Sequence, residues 1–201
     1  MFQDFVYLAS GSPRRRELLQ QIGVAFRVVG TSVDEKVLPG EAPPAYVARL
    51  AAAKADVGWE RSRDAIGAPV LAADTAVVLD GRILGKPTDR HAAEDMLQRL
   101  SGRTHEVLTA VALRASAGLQ SRISRSEVTF RRLAGAEILA YWETGEASDK
   151  AGAYAIQGRA AIFVAELRGS YSGVMGLPLF ETAELLSQAG VSSWAGRGSA
   201  P

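Results

Sequence analysis

An acidic residue interrupts an apolar, β-rich run in the first half of the chain. Asp74 stands inside the run from Val70 to Leu79. An ionised carboxylate in the middle of a buried strand is costly to desolvate, so Asp74 should be paired, bind a metal ion or transfer a proton. The alternative interpretation is that Asp74 marks the end of a strand at a turn.

A basic turn near the N-terminus combines groups that bind phosphate. The hydroxyls of Ser10 and Ser12 and the guanidinium groups of Arg14 and Arg15 stand where a predicted strand gives way to a predicted helix. The free N–H groups and the positive dipole end of a helix start would add to them, and a polyphosphate requires such a set. The alternative is a solvated first turn with a serine cap, although arginines there oppose the helix dipole.

Three further charged residues could complete such a site. Glu35 lies in a glycine- and proline-rich loop. Alone it would be solvated, but with Asp74 it could supply the carboxylates of a magnesium ion that also binds water and substrate phosphate. Lys54 follows three alanines on a predicted helix, and Lys86 lies between a glycine and a proline just after a predicted strand. At either position a lysine is otherwise an ordinary solvated residue.

A glutamine offers the chemistry of base recognition. Gln157 lies in the glycine-flanked segment from Asp149 to Gly158. Its amide has both a donor and an acceptor, as recognition of a nucleobase edge needs. Taken alone, a hydrogen bond within the loop is the simpler interpretation.

The hydrophobic pattern predicts the elements that must position these residues. Strands are predicted at residues 5–9, 25–29, 70–79, 82–84, 104–115, 120–133 and 161–167, and helices at 14–22, 44–59, 136–143 and 179–189. Ser12 is the predicted N-cap of the first helix, and Thr88 caps a further helix that runs to Leu100. Helices alternate with strands early, whereas the middle is a long hairpin, so an α/β fold with a mixed sheet is expected.

Composition narrows the class of protein. The 201 residues carry 23 lysines and arginines against 22 aspartates and glutamates, a net charge of +1, which favours neither a nucleic-acid nor a membrane surface. The absence of cysteine excludes disulfides, thiolate catalysis and Cys-ligated zinc. No uncharged apolar stretch approaches the ~18 residues that span a bilayer, and Asp4 precedes the first apolar run while the arginines follow it, the reverse of a secretory signal. We expect a cytoplasmic protein with one domain over residues 1–190 and a disordered tail over residues 191–201.

Six short motifs follow one another in a fixed order along the chain. They are Ser10–Arg15, Val33–Glu35, Ala72–Thr75, Gly85–Pro87, Asp149–Gly158 and Gly169–Pro178. Each is modest alone, but together they resemble the Maf-like nucleoside triphosphate pyrophosphatases, from about residue 7 to residue 190.

The resemblance implies a fold and an activity. The fold would be an elongated, bent mixed sheet flanked by helices, with a cleft between two lobes, similar to the inosine triphosphatases. The enzyme would be a cytoplasmic homodimer that hydrolyses a nucleoside triphosphate to the monophosphate and pyrophosphate with a divalent cation, Mg²⁺ or Mn²⁺. It would have no nucleic-acid or membrane partner.

The resemblance also assigns roles by position. Asp74 would be the proton acceptor and, with Glu35, the metal site. The implied substrate-choice residues are Arg14, Thr75 and Gln157, and the implied phosphate-binding residues are Ser10, Ser12, Arg15, Lys54 and Lys86. As a hypothesis for the chemistry, the metal bridges phosphate oxygens, Asp74 orients or deprotonates water for attack at the α-phosphorus, and the basic groups stabilise the leaving pyrophosphate.

Two branches of this family differ at the substrate-choice positions. The branch acting on 7-methyl-GTP has a bulky aromatic after the Ser-Pro pair, a glutamine after the central aspartate and a serine-glutamate pair near the position of Gln157. This chain has Arg14, Thr75 and Gln157 instead, so it resembles the dTTP/UTP branch. The alternatives are a 7-methyl-GTP pyrophosphatase and a non-enzymatic regulator of septum formation in cell division.

Overall fold

The computed structural model describes residues 5–62 and 67–193. The strands are β1 (Val6–Leu8), β2 (Phe26–Val28), β3 (Val70–Leu79), β4 (Arg82–Leu84), β5 (Thr104–Ala115), β6 (Gly118–Phe130) and β7 (Val164–Arg168). The α-helices are α1 (Pro13–Gln21), α2 (Pro43–Arg61), α3 (Arg90–Leu100), α4 (Gly135–Glu143), α5 (Tyr171–Met175) and α6 (Leu179–Gln188). Short 3₁₀ helices lie at Ala151–Ala153 and Arg159–Phe163.

The strands form one sheet in the order β2-β1-β3-β5-β6-β7, with β4 also paired to β3. β1 runs parallel to both β2 and β3, whereas β4, β5, β6 and β7 pair in antiparallel fashion. The prediction of an α/β fold with a mixed sheet flanked by helices is therefore confirmed. Asp80 and Gly81 form the two-residue turn between the antiparallel strands β3 and β4, and both have positive φ angles, 51° and 73°.

Strand β3 has a gap along one edge. On that edge β1 pairs with β3 only at Val70 and Leu71, and β4 pairs with it only from Val77 to Leu79. On the opposite edge, β5 pairs with β3 without interruption from Val70 to Val78. Among the described strands, none covers residues 72–76 on the first edge, and a cavity of about 620 Å³ opens beside them. Asp74 lies at the middle of this gap.

Helix α2 packs on one face of β3 through alanines. Its Ala51 and Ala55 are buried in the same apolar cluster as Ala72 and Ala76 of β3. Small side chains let the helix and the sheet approach closely, since close-packed interiors leave no voids between them. This approach brings Lys54, which lies between the two helix alanines in sequence, over the strand.

The other face of the sheet is covered by two further apolar clusters. One contains leucines of β1, α1, β3 and α6. The other contains the aromatic rings of Phe130, Tyr141, Tyr154 and Phe163, and His105 of β5 lies against Phe130 and Tyr154 with ring centroids 5.0 and 5.4 Å apart. The described helices include none that is long and apolar enough to cross a membrane.

The sequence places the cap of α3 at the wrong residue. Asp89, not Thr88, is the N-cap, because its Oδ1 accepts a hydrogen bond from the N–H of Ala92 at 2.8 Å. A carboxylate also suits the positive end of the helix dipole better than a hydroxyl does. Ser12 stands at the N-cap position of α1 as predicted, but its hydroxyl makes no capping hydrogen bond.

The region between α4 and α6 contains more helix than the sequence predicts. Residues 159–163 form a 3₁₀ helix, so the strand expected at residues 161–167 begins only at Val164. The segment from Gly169 to Pro178, for which no element is predicted, contains the one-turn-and-a-half helix α5, where Ser170 Oγ accepts from the N–H of Gly173 at 2.9 Å. Such short elements depend on local caps and leave no hydrophobic period for sequence analysis to detect.

The C-terminal end of the described chain is packed. Val191 is buried with the leucine cluster, and its N–H donates to the carbonyl of Leu186 at 2.9 Å. The predicted tail over residues 191–201 therefore includes one residue of the core at its start. Residues 194–201 of that tail, and Asp4 at the other end, lie outside the described residues.

Candidate active site

The cavity beside β3 collects the candidate residues from six separate parts of the chain. The candidates that line it are Ser10, Ser12, Arg14, Arg15, Glu35, Lys54, Asp74, Thr75, Lys86 and Gln157. A volume of about 620 Å³ lies within the range of small-molecule sites. Because side chains alternate across a strand, Asp74 and Thr75 point to opposite faces of the sheet, and the gap in the edge lets both reach one cavity.

Asp74 faces α2, where Lys54 binds it. Lys54 Nζ lies 2.6 Å from Asp74 Oδ1 and 2.6 Å from Glu35 Oε1, so one ammonium bridges two carboxylates. Only 6% of Asp74 is exposed. The alternative of Asp74 at a strand end is thus excluded, since β3 continues to Leu79.

The two carboxylates respond differently to the same lysine. Burial raises the pKa of Asp74, and the charges of Lys54 and Arg15 oppose this only in part. Burial also works against ionisation of Glu35, but the hydrogen bond and charge of Lys54, together with the charges of Lys86 and Arg15, lower the pKa of Glu35 overall. The difference follows from depth, because the Glu35 side chain is 47% exposed and that of Asp74 is 9% exposed.

Arg15 connects the basic turn to the other face of the strand. Its Nε donates to the carbonyl of Gly176 at 2.7 Å, and its Nη1 donates to Ser10 Oγ at 3.2 Å. Its Nη2 donates a longer bond, 3.4 Å, to Thr75 Oγ1. Burial lowers the pKa of Arg15, although a guanidinium stays charged in a protein. Its contacts to three protein oxygens fix the cation at the cavity wall.

Arg14 has fewer contacts than Arg15. Among the described residues its Nε is buried and has no hydrogen-bond partner. Burial lowers the pKa of Arg14, and the nearby carboxylates of Asp149 and Glu17 oppose that shift. A buried donor without an acceptor favours binding of an oxygen from outside the chain.

Lys86, Gln157 and Ser12 reach the cavity from loops. Lys86 lies two residues after the end of β4, and Gln157 precedes the second 3₁₀ helix. The backbone N–H of Ser12 donates to Ser10 Oγ at 3.2 Å, which orders the turn before α1. Cations and hydroxyls thus lie around the same space as the paired carboxylates.

Two residues of α2 that support this site are not predicted from the sequence. Tyr46 lines the cavity and donates its hydroxyl hydrogen to the backbone carbonyl of Glu35 at 3.0 Å. Arg49 contacts the loop that carries Glu35. The available signal was helical spacing, since Tyr46 and Lys54 are eight residues apart and share a face of α2.

The acidic pair fits a divalent cation that prefers oxygen ligands. Oxygens of Glu35 and Asp74 already converge on a single positive atom, Lys54 Nζ. In the described part of the chain, no group of three or more His, Cys, Asp or Glu residues could hold a metal ion. A magnesium ion needs only one or two carboxylates when water and substrate phosphate complete its shell, so the pair suffices.

Comparison with known proteins places the chain among relatives of nearly equal length. The family model described as Maf-like protein matches residues 5–189. The chain is 55% identical over 199 residues to a protein of Nitrosospira multiformis named dTTP/UTP pyrophosphatase, covering 94% of this chain and 96% of that protein. It is 56% identical over 186 residues to a dTTP/UTP pyrophosphatase of Methylococcus capsulatus, covering 92% and 91%.

A solved structure gives a more distant likeness. The nucleoside-triphosphatase or dITP/XTP pyrophosphatase of Mycobacterium abscessus is 18% identical, with a TM-score of 0.42 over 92% of this chain and 93% of that chain. At that TM-score we infer nothing about this chain from the likeness.

Proposed function

The chain belongs to the Maf-like protein family, and from this we propose that it hydrolyses dTTP and UTP to the nucleoside monophosphate and pyrophosphate. The relatives named dTTP/UTP pyrophosphatase, at 55% and 56% identity, support this choice of substrates. The observation that carries the proposal is Asp74, a buried carboxylate held beside cations at the open edge of β3.

Asp74 is the proposed proton acceptor. It takes a proton from water while the water oxygen bonds to the α-phosphorus, and the bond from that phosphorus to the bridging oxygen breaks. The electron pair of the broken bond leaves on pyrophosphate. Because Lys54 contacts Oδ1, we assign the proton to Oδ2 of Asp74.

The basic groups around the cavity are proposed to bind the phosphates. Lys86 and Arg15 lie on its wall, together with the hydroxyls of Ser10 and Ser12. Their charges would stabilise the negative charge that develops on the leaving pyrophosphate. Lys54 belongs to this group by family resemblance, although here its ammonium is bound to the two carboxylates.

Glu35 and Asp74 are the residues that would hold a divalent cation, Mg²⁺ or Mn²⁺. When bound, the ion would neutralise phosphate oxygens of the substrate. The exposure of Glu35 leaves its side chain accessible from solvent, whereas Asp74 is fixed in the strand.

Arg14 and Gln157 are proposed to recognise the O4 and N3 edge of uracil or thymine. The buried Nε of Arg14 has no acceptor among the described residues, and a base carbonyl would supply one. The family resemblance assigns Thr75 to substrate choice as well, but its hydroxyl accepts a hydrogen bond from Arg15 and shares another with the hydroxyl of Thr109. We therefore propose that Thr75 acts on substrate choice through the position of Arg15.

The test is a panel of nucleoside triphosphates, including dTTP, UTP, dCTP, dGTP and 7-methyl-GTP, assayed with Mg²⁺ or Mn²⁺ for monophosphate and pyrophosphate. We expect kcat/KM for dTTP or UTP to exceed that for 7-methyl-GTP by about 10-fold or more. The reverse order would assign the chain to the other branch. Release of inorganic phosphate instead of pyrophosphate would contradict the reaction itself.

We also propose a homodimer located in the cytoplasm, as the family resemblance implies. Light scattering of the purified protein should give twice the mass of the chain. A monomeric mass, or recovery outside the cytoplasmic fraction of cells, would contradict these two proposals.

A further inference from the structure

The loop that carries Glu35 is fastened to α2 at several points. This loop, residues 29–42, connects β2 to α2 and contains no helix or strand. Besides the hydrogen bond from Tyr46 to the Glu35 carbonyl, Arg49 Nη2 donates to the carbonyl of Lys36 at 3.0 Å. Arg49 also binds the carboxylate of Glu41 with two bonds, Nε to Oε1 at 2.5 Å and Nη2 to Oε2 at 2.7 Å.

The contacts hold the loop at Glu35 and on its C-terminal side. Tyr46 binds the backbone of Glu35 itself, and Arg49 binds the next residue, Lys36. Glu41 in turn accepts from the N–H of Leu38 at 3.0 Å, which ties the distal part of the loop to the same ion pair. One helix thus fixes the loop backbone and, through Lys54, also contacts the Glu35 side chain.

These contacts are strong and directional enough to hold the loop in one position. A bidentate pair of guanidinium and carboxylate is stronger and more directional than a single ion pair, and Arg49 lowers the pKa of Glu41 to about 2. The Tyr46 hydroxyl donates at 3.0 Å to the carbonyl of Glu35, so this contact acts on the backbone of the residue whose position matters. An unfastened loop would lose conformational entropy each time Glu35 had to meet Asp74.

We propose that Tyr46 and Arg49 are positioning residues that hold the 29–42 loop so that Glu35 faces Asp74. This inference rests on the proposed function, because Glu35 matters only if the acidic pair binds a cation and substrate. Neither residue touches the reacting atoms in this role. Both act by holding the loop, Tyr46 through the Glu35 carbonyl and Arg49 through the Lys36 carbonyl and the Glu41 carboxylate.

The first test needs no activity. Lys36 is exposed, and the carbonyl that Arg49 binds belongs to the Lys36–Val37 peptide bond, which is a trypsin site. In metal-free protein, Arg49→Gln should raise the rate of cleavage at this bond by about 10-fold or more, measured by mass spectrometry, because cleavage requires local opening. Tyr46→Phe should raise it by a smaller factor.

The chain offers a matched control for this variant. Arg131 binds Glu137 with two bonds of 2.6 and 3.1 Å, the same type of pair, and neither residue lines the cavity. Arg131→Gln should leave cleavage after Lys36 unchanged. Equal cleavage rates in wild type and Arg49→Gln would overturn the proposal.

The second test separates positioning from general damage. We expect Arg49→Gln to bind Mn²⁺ about 10-fold more weakly than wild type in paramagnetic resonance titrations, as loss of supporting contacts does at metal sites. Because Glu35 and Asp74 remain, saturating Mn²⁺ should restore kcat to within about 3-fold of wild type. Unchanged Mn²⁺ affinity, no saturable binding by wild type, or a kcat deficit that Mn²⁺ does not restore would each overturn the positioning role.

The two proposals fail in different ways. If wild type hydrolyses none of the nucleotides in the panel, the proposed function is wrong whatever the loop does. If wild type hydrolyses dTTP or UTP but Arg49→Gln matches it in proteolysis and Mn²⁺ affinity, only the positioning role is wrong.

Discussion

Asp74 and His105 are both buried polar side chains on neighbouring strands, yet their surroundings are opposite. Asp74 is bound by Lys54 at the wall of the cavity, whereas His105 lies among aromatic rings and does not line the cavity. Its Nε2 hydrogen-bonds the Tyr154 hydroxyl at 2.8 Å, and within the described chain its Nδ1 has no partner.

The difference shows what burial does with and without counter-charges. Burial raises the pKa of Asp74, but Lys54 and Arg15 act in the opposite direction. Burial lowers the pKa of His105 to about 4, and no charged group opposes it. A neutral buried imidazole is therefore a structural group, while a buried carboxylate kept beside cations is a candidate for chemistry.

The largest effect should follow from Asp74→Asn. Asparagine keeps the shape and an acceptor for Lys54 but cannot take a proton, so turnover should fall on the order of 10³-fold, within the range of lost general-base catalysis. Pyrophosphate release from dTTP measures this. The urea midpoint should stay close to that of wild type, because the fold does not need the charge.

Two results would contradict the proposed chemical role of Asp74. Near-normal hydrolysis by Asp74→Asn would show that Asp74 is not the proton acceptor. Loss of folding in this isosteric variant would show that the carboxylate is a structural group, as His105 is here.

The second prediction concerns His105 and stability rather than rate. An unfolded histidine takes up a proton near pH 6.5, but the folded one does so only near pH 4, so protonation favours the unfolded state as pH falls between these values. The free energy of unfolding should thus decrease by about 3 kcal/mol from pH 6.5 to pH 4 through this residue. Urea unfolding at several pH values measures the decrease.

Variants assign that decrease to one residue. His105→Phe should remove its share of the pH dependence and change kcat at pH 8 by less than about 3-fold. His91→Asn, at an exposed position on α3, should keep the dependence of wild type. A large fall in kcat for His105→Phe would place His105 in the same class as Asp74.

Sequence alone identifies Asp74 because a charge inside an apolar strand contradicts the local pattern. The same rule cannot identify His105, since histidine is common both in cores and in sites. The alternation of helices and strands in the sequence predicts the mixed sheet. It does not predict the gap along the edge of β3, which depends on how far β1 and β4 extend beside that strand.

The contacts that the candidate residues make cannot be predicted from the sequence. Lys54 is recognisable as a candidate, but its bridge between Glu35 and Asp74 exists only because an alanine-rich helix packs closely on β3. Tyr46 and Arg49 contact backbone carbonyls of a loop, and such contacts leave no pattern in side-chain chemistry. The family resemblance supplies roles for motif residues and none for these two.

The third prediction tests whether Lys54 opposes the effect of burial on the pKa of Asp74. The charge and hydrogen bond of Lys54 lower the pKa of Asp74 against burial, so Lys54→Met should raise it further. Because the proposed reaction needs ionised Asp74, the acid limb of the kcat profile should move to higher pH, and kcat at pH 7 should fall on the order of 10²-fold. Lys54→Arg, which keeps the charge, should leave the limb nearer to that of wild type. An acid limb that does not move in Lys54→Met would show that Lys54 does not control ionisation of Asp74.

The smallest effect concerns Thr109, which lies on the strand of His105 but contacts Thr75, the neighbour of Asp74 in β3. Its hydroxyl is 2.7 Å from the carbonyl of Gly173 and 3.0 Å from Thr75 Oγ1. A hydroxyl has one hydrogen, so Thr109 donates it over the shorter distance and accepts from Thr75.

Thr109→Val should lower the free energy of unfolding by about 1 kcal/mol, the usual cost of a lost buried hydrogen bond, measured by urea unfolding. Since Arg15 keeps its bonds to Gly176 and Ser10, kcat/KM for dTTP should change by less than about 3-fold. A loss of 10-fold or more, at about the same stability cost, would mean that the division between a chemical β3 and a structural β5 does not hold, because the site would then extend through Thr75 into β5.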